Sequence, residues 1–310
     1  MSSGRSSREE VPEPRYHGRA MVDEPRLSLL LALADDELII GHRHAEWTGW
    51  APHMEEDLAF SSIAQDEMAH ARLLYGLAEP LTGRDEDSLA FGRPPDEYRN
   101  AVLCERPNGD WGYTLARQYL YDTVDAVRMD ALAESSWVEL VELVKVIQLE
   151  EKYHLDHARA WFDRLAAGPL EARNRFASGL AAAMAEAVAL FEPLPGEPEL
   201  VDTGVLPRSS EELLSEWLRP LGEMLEAASL DYVLEHHGPI GGEMVPTSSG
   251  EIVADAEELQ GPGLVRRGGV WVHEGGFAGA GGRQGKHSED FLPLWEEMTG
   301  LHRAHPGAKW

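Results

Sequence analysis

Glu67-Met68-Ala69-His70 and Glu151-Lys152-Tyr153-His154 are the two stretches on which the reading of this chain turns. Each sets a carboxylate and an imidazole three residues apart, so on a helix both project from one face. Of 13 histidines, only His70 and His154 have a Glu at that offset. Both words lie in apolar stretches with helical patterning, where a charged carboxylate is costly unless something compensates it. One such word is what any acidic helix carries by chance. Two of them, joined by one carboxylate from each of two further helices, form the ligand set of carboxylate-bridged di-iron four-helix bundles.

Working outward, the spacing supplies the two further carboxylates. Glu37 stands 30 residues before Glu67, and Asp122 stands 29 before Glu151. If each interval is an antiparallel helical hairpin, its turn falls at the midpoint. The first midpoint lies in Thr48-Gly49-Trp50-Ala51-Pro52, a breaker with a helix-starting proline. The second is Ser135-Ser136, where Ser136 and Glu139 have capping-box spacing. Each site residue is then about 15 residues, roughly 22 Å, from its turn, and the members of each hairpin meet at one level. Asp125 sits one turn beyond Asp122 on nearly the same face; spacing favours Asp122 as the ligand, with Asp125 a polar neighbour that supports the site from outside the ligand set.

The expected fold is all-α: a ferritin-like four-helix bundle with additional helices and a Gly-rich C-terminal loop and β-hairpin extension. Helices are expected over 27–47, 52–78, 111–134, 137–166, 170–191, 209–235 (with Ser209 and Glu212 as a capping box) and 288–303. Residues 80–110 are a long crossover between the hairpins, and 193–208 a Pro-punctuated linker. Residues 1–24 read as a disordered tail, 25–235 as the helical domain, and 236–310 as an extension packed on it. Short β-like pieces occur at 263–267 and 269–273.

Composition limits the function. The net charge of −28 disfavours nucleic acid or anionic membranes as partners. No apolar run approaches a membrane span, and the N-terminus has no signal-peptide core. A single cysteine, Cys104, excludes a disulfide framework and a thiolate cluster, and points to a reducing cytoplasm. Only four of the 27 basic residues are lysine, which suits either a high-salt cytoplasm or GC-rich coding.

In the metal reading, Glu67 and Glu151 bridge two ions, Glu37 and Asp122 are terminal, and His70 and His154 bind one ion each. Asp66 and Glu150, each four residues before one of these histidines, are candidates to hold the outer ring nitrogens. Oxygen donors with two imidazoles suit two iron ions, with manganese as the alternative. The other histidines read more plainly. His42, His44 and His53 fit surface or capping roles near the first turn; His157 faces away or satisfies a carboxylate; His236 and His237 read as a helix C-terminus.

Further stretches carry a resemblance: Leu33-Ala-Asp-Asp-Glu-Leu-Ile-Ile-Gly, Ala45-Glu-Trp-x-Gly-x-Ala-Pro, Arg84-Asp-Glu-Asp-Ser-Leu-Ala-Phe, Tyr98-Arg-Asn, Glu105-x-Pro-Asn-Gly-Asp and Arg303-Ala-His-Pro-Gly-Ala-Lys-Trp. Together they resemble the phenylacetyl-CoA 1,2-epoxidase family of multicomponent bacterial di-iron oxygenases, and its C-type component in particular. In well-known members that component is a structural partner without the metal ligands, which belong to the homologous A-type component. Here Gln65-Asp66-Glu67-x-x-His70, Asp122 and Glu150-Glu151-x-x-His154 are similar to the A-type words. The resemblance implies oxygen activation and transfer of one oxygen atom to an aromatic acyl-CoA. It also implies electrons from a separate reductase, and a homologous subunit or a second copy as partner. The competing expectation is a scaffold that keeps the ligand set without turnover. Arg266, Arg267 and Arg283, or a partner, would hold the CoA phosphates.

Overall fold

The computed structural model describes residues 20–235, 263–274, 281–305 and 308. Its element order is α1 (Ala20–Ala45), α2 (Met54–Thr82), α3 (Glu86–Phe91), α4 (Val102–Glu105), α5 (Trp111–Leu132), α6 (Val138–Ala166), α7 (Leu170–Val188), α8 (Glu197–Asp202), α9 (Ser210–Ala227), β1 (Leu264–Arg267), β2 (Val270–His273) and α10 (Phe291–Ala304). The chain is all-α, with one two-stranded sheet among the described residues. Helices α1, α2, α5 and α6 form the ferritin-like bundle, two antiparallel hairpins packed side by side.

Both turns fall where the spacing puts them, between Ala45 and Met54 and between Leu132 and Val138. Local details differ. The second helix starts at Met54 behind His53, two residues after Pro52, with Glu55, Glu56 and Asp57 in its first turn where the helix dipole favours them. The expected Ser136/Glu139 box is absent: α6 starts behind Trp137 with no side-chain cap. Ser136 is drawn away by the 203–204 segment instead, its hydroxyl donating to the Thr203 carbonyl and its amide to that of Gly204. The Ser209/Glu212 box is present at α9. α1 begins seven residues earlier than expected and carries Pro25 within it; residues 1–19, most of the expected tail, lie outside the described region. So do His236, His237 and most of the Gly-rich stretch.

α1 is buried almost all round, from Leu29 and Leu30 through Ile39 and Ile40. Its three consecutive acids therefore need partners, and helical rotation sends each a different way. Asp35 accepts from Arg93, Tyr75 and the Arg99 amide. Asp36 accepts from Arg128 at 2.7 Å and from both terminal nitrogens of Arg283 at 2.8 Å. Glu37 points into the bundle. Arg283 also donates to the carbonyls of Ala32, Arg99 and Leu190, and this clamps residues 281–285 onto the bundle. A phosphate-holding role for Arg283 is thereby overturned: the side chain is 2% exposed and committed to Asp36. Arg266 and Arg267 are more exposed but pair with Glu226 and Glu274.

The β-hairpin pairs Val265 with Val272 and Arg266 with Trp271, closed by Gly268 and Gly269 at positive φ. Trp271 lies over Gly222 of α9, where a Cβ would come within 2.6 Å of the indole.

At Gly41 the two helices of the first hairpin touch. A Cβ there would meet the Glu67 Cβ at 3.0 Å and the Ala64 carbonyl at 3.3 Å. Gly41→Ala is therefore expected to push α2 outward at Glu67 and cost about 1–3 kcal/mol in urea unfolding. An unchanged midpoint would show that the contact is slack.

Candidate metal centre

The bundle brings the predicted residues together at mid-height. Donor atoms of Glu37, Glu67, His70 and Glu151 all lie within 4.8 Å of one another, and all four residues are buried. His70 Nδ1 is 3.2 Å from Glu37 Oε2 and 3.2 Å from Glu151 Oε1. His154 Nδ1 is 3.3 Å from the same Glu151 oxygen and 3.9 Å from Glu67 Oε1. Asp122 falls outside the four-residue group but is 1% exposed with neither oxygen bonded, and Glu151 and His154 act on it electrostatically.

Asp125 separates from Asp122 on its partner. Its carboxylate accepts from Arg128 at 2.8 Å, an i,i+3 pair on α5. Asp122 has no such cation.

Outer nitrogens are held by carboxylates, but across helices. His70 Nε2 meets Glu150 Oε2 at 2.8 Å, and His154 Nε2 meets Asp66 Oδ2 at 3.2 Å. Each Glu-x-x-His word is thus oriented by the acid preceding the other word, which ties α2 to α6. Glu150→Gln keeps the shape but weakens the acceptor's pull on His70. Metal affinity is expected to fall about 10- to 100-fold by competitive chelator titration; an unchanged affinity would remove Glu150 from the site.

The site is electrostatically unbalanced. Burial, then the neighbouring Glu37 and Glu151, push the Glu67 carboxyl well above its ordinary value. Burial and then Glu151 do the same for Asp122. Burial alone would lower His70, but the nearby Glu151 and Glu37 carboxylates raise it to about 11. Against the same burial effect, the Glu151 carboxylate raises His154 to about 9. Burial opposes ionisation of Glu151, yet His154 and His70 hold it at about 2.

Both oxygens of Glu67, Asp122 and Glu151, and Nδ1 of His154, are buried without a hydrogen-bond partner. Buried polar atoms in folded proteins are nearly always paired, and here the unpaired ones converge. Carboxylate oxygens facing imidazole nitrogens whose outer sides are held is the donor chemistry of a site for divalent metal ions. The residues fit such an ion.

Two residues escape the sequence reading. The Tyr121 hydroxyl, fully buried, donates to Glu37 Oε1 at 3.0 Å. His44 is not a surface or capping group: it is 0% exposed, with Nδ1 3.8 Å from Glu67 Oε1. Burial, reinforced by Arg117, holds its pKa well below the ordinary value. A signal exists in the sequence, since Glu37, Gly41 and His44 lie at i, i+4 and i+7 on one face of α1. His157 does satisfy a carboxylate, Glu56, at 2.9 Å. His42 is half-buried, and His53 is exposed ahead of α2.

Among the described residues no helix is long and apolar enough to cross a membrane. A family model described as "Phenylacetic acid catabolic protein" matches residues 12–237. The chain is also 28% identical over 281 residues to the C-type component of 1,2-phenylacetyl-CoA epoxidase from Escherichia coli (strain K12), covering 90% of this chain and 97% of the relative.

Proposed function

This chain belongs to the phenylacetic acid catabolic protein family, and from that premise we propose that it is a cytoplasmic di-iron oxygenase subunit acting on an aromatic acyl-CoA. The observation that carries the reading is the convergence of unpaired, buried carboxylate oxygens from Glu67, Asp122 and Glu151 with two imidazoles at mid-bundle. Glu37, Glu67, His70, Asp122, Glu151 and His154 would hold the iron. Iron held there would, when reduced, supply the electrons that activate dioxygen for transfer of one oxygen atom to the ring. The domain division at residues 24 and 235 is part of the same reading.

The chain's own side chains set the conditions for that chemistry. Tyr121 fixes one oxygen of Glu37 and leaves the other facing the centre. Glu150 and Asp66 hold the imidazole tautomers that present Nδ1 inward. Near-complete burial of Glu37, Glu67, His70, Asp122, Glu151 and His154 keeps bulk water out of the site. Arg283 serves the fold, so a homologous partner protein is the source of cations for the CoA phosphates, and a separate reductase the source of electrons.

The test is turnover. Anaerobically iron-loaded, chemically reduced protein is mixed with oxygen and phenylacetyl-CoA, alone and with its homologous partner. Oxygenated product that disappears in Glu151→Ala supports catalysis at this site. The match to a C-type component favours one other reading, a scaffold for a separate catalytic chain. Product that needs the partner and persists in Glu151→Ala would establish the scaffold instead.

A further inference from the structure

His44 ends α1 with an imidazole that nothing among the described residues satisfies. It is fully buried, and neither ring nitrogen has a hydrogen-bond partner. An unpaired buried polar group is costly, so a partner outside the chain is the natural resolution. The ring is aimed at the metal centre: Nδ1 lies 3.8 Å from Glu67 Oε1. His154 Nδ1 lies 3.9 Å from that same oxygen and is also unpaired. Two donors at bonds of about 2.0–2.2 Å from one ion stand no more than about 4.4 Å apart, and both separations lie within that limit.

The arrangement is lopsided. His70 lies toward Glu37 and Glu151, with Nδ1 3.2 Å from an oxygen of each. His44 and His154 both flank Glu67. The Phe60 ring meets His44 edge-on, with centroids 5.3 Å apart and planes at 84°, and this fixes the plane of the imidazole.

Resting on the metal-centre reading above, we propose that His44 is a third imidazole ligand, joining His154 on the ion bound at Glu67 Oε1. The two ion positions are then unequal, one with a single imidazole and one with two. No carboxylate holds the outer nitrogen of His44, unlike those of His70 and His154. His44 is thus the least constrained of the three ligands.

Cobalt(II) titration of the metal-free full chain, followed by visible absorption and isothermal calorimetry, tests this. Wild type is expected to bind two equivalents. In His44→Ala one equivalent is expected to weaken at least about tenfold, with a change in its absorption bands, while the other is unaffected. His44→Gln retains bulk and polarity and should show the same selective loss. It decides the matter if the alanine variant does not fold. His157→Ala, near Phe60 but outside the ligand set, should bind as wild type does. Two equivalents with wild-type affinities and spectra in the folded His44 variants would overturn the proposal and leave the metal centre standing. A well-folded wild type that binds no cobalt would overturn both.

Discussion

Glu67→Gln is expected to make the metal-free protein more stable while destroying its capacity for metal. Glu67 is fully buried, both oxygens are unpaired, and it faces Glu37 and Glu151 across the site. Without a cation that carboxyl is either ionised and unpaired or holds a proton against its ordinary acidity, and both cost stability. An amide of the same shape avoids both, a gain of roughly 1–3 kcal/mol at pH 8. The pH dependence follows from linkage. Glu67 and Asp122 have raised folded values, so their contribution is fully present below the ordinary 4.5 and 3.8 and is lost as pH rises through the folded values. His70 and His154 contribute fully below 6.5 and lose that contribution as pH rises through about 9 and then about 11. Glu151 works the other way, contributing above 4.5 and losing it only toward about 2. Metal-free wild type should therefore melt at lower temperature at pH 9 than at pH 6, with a shallower decline in Glu67→Gln. Metal binding requires the imidazoles without their protons, so stabilisation by metal should grow over the same interval. Equal stability of the metal-free protein at pH 6 and pH 9 would contradict this balance.

The second large effect is expected at Arg283→Ala, which should cost roughly 3–5 kcal/mol in urea unfolding because it strips a fully buried carboxylate of half its charge partnership. Burial would raise Asp36, yet Arg283 first and Arg128 second hold it below its ordinary 3.8. Its contribution is present above 3.8 and is lost as pH falls through the lowered folded value, so the penalty should shrink in acid. In an Asp36→Asn background the same substitution should cost less, because the pair shares one interaction. A loss within about 0.5 kcal/mol would mean that residues 281–285 are not anchored by this pair.

The site is legible where chemistry repeats at helical spacing. Two Glu-x-x-His words, with carboxylates 30 and 29 residues upstream, locate the hairpin turns and the shared level of Glu37 with Glu67 and of Asp122 with Glu151. What stays hidden is set by how the hairpins pack. The exchange of Glu150 to His70 and Asp66 to His154 depends on the offset between α2 and α6, which no local pattern encodes. Arg283 pairs with Asp36 across 247 residues, beyond any periodicity. His44 looks exposed in sequence because it stands near a helix end, whereas Phe60 packs against it. Asp125 stays open in the sequence beside Asp122, and only the structure separates the two, by giving Asp125 the Arg128 guanidinium as its partner. The absent box at Ser136 shows a local capping pattern losing to a tertiary hydrogen bond.

The most direct measurement is metal content after anaerobic loading with ferrous iron, on wild type and on Glu151→Ala. About two irons per wild-type chain are expected, from two Glu-x-x-His words and two further carboxylates set as in a di-iron bundle, with loss of both in the variant. A well-folded wild type that retains no iron would contradict the metal centre, leaving the converging carboxylates as a relic within a scaffold.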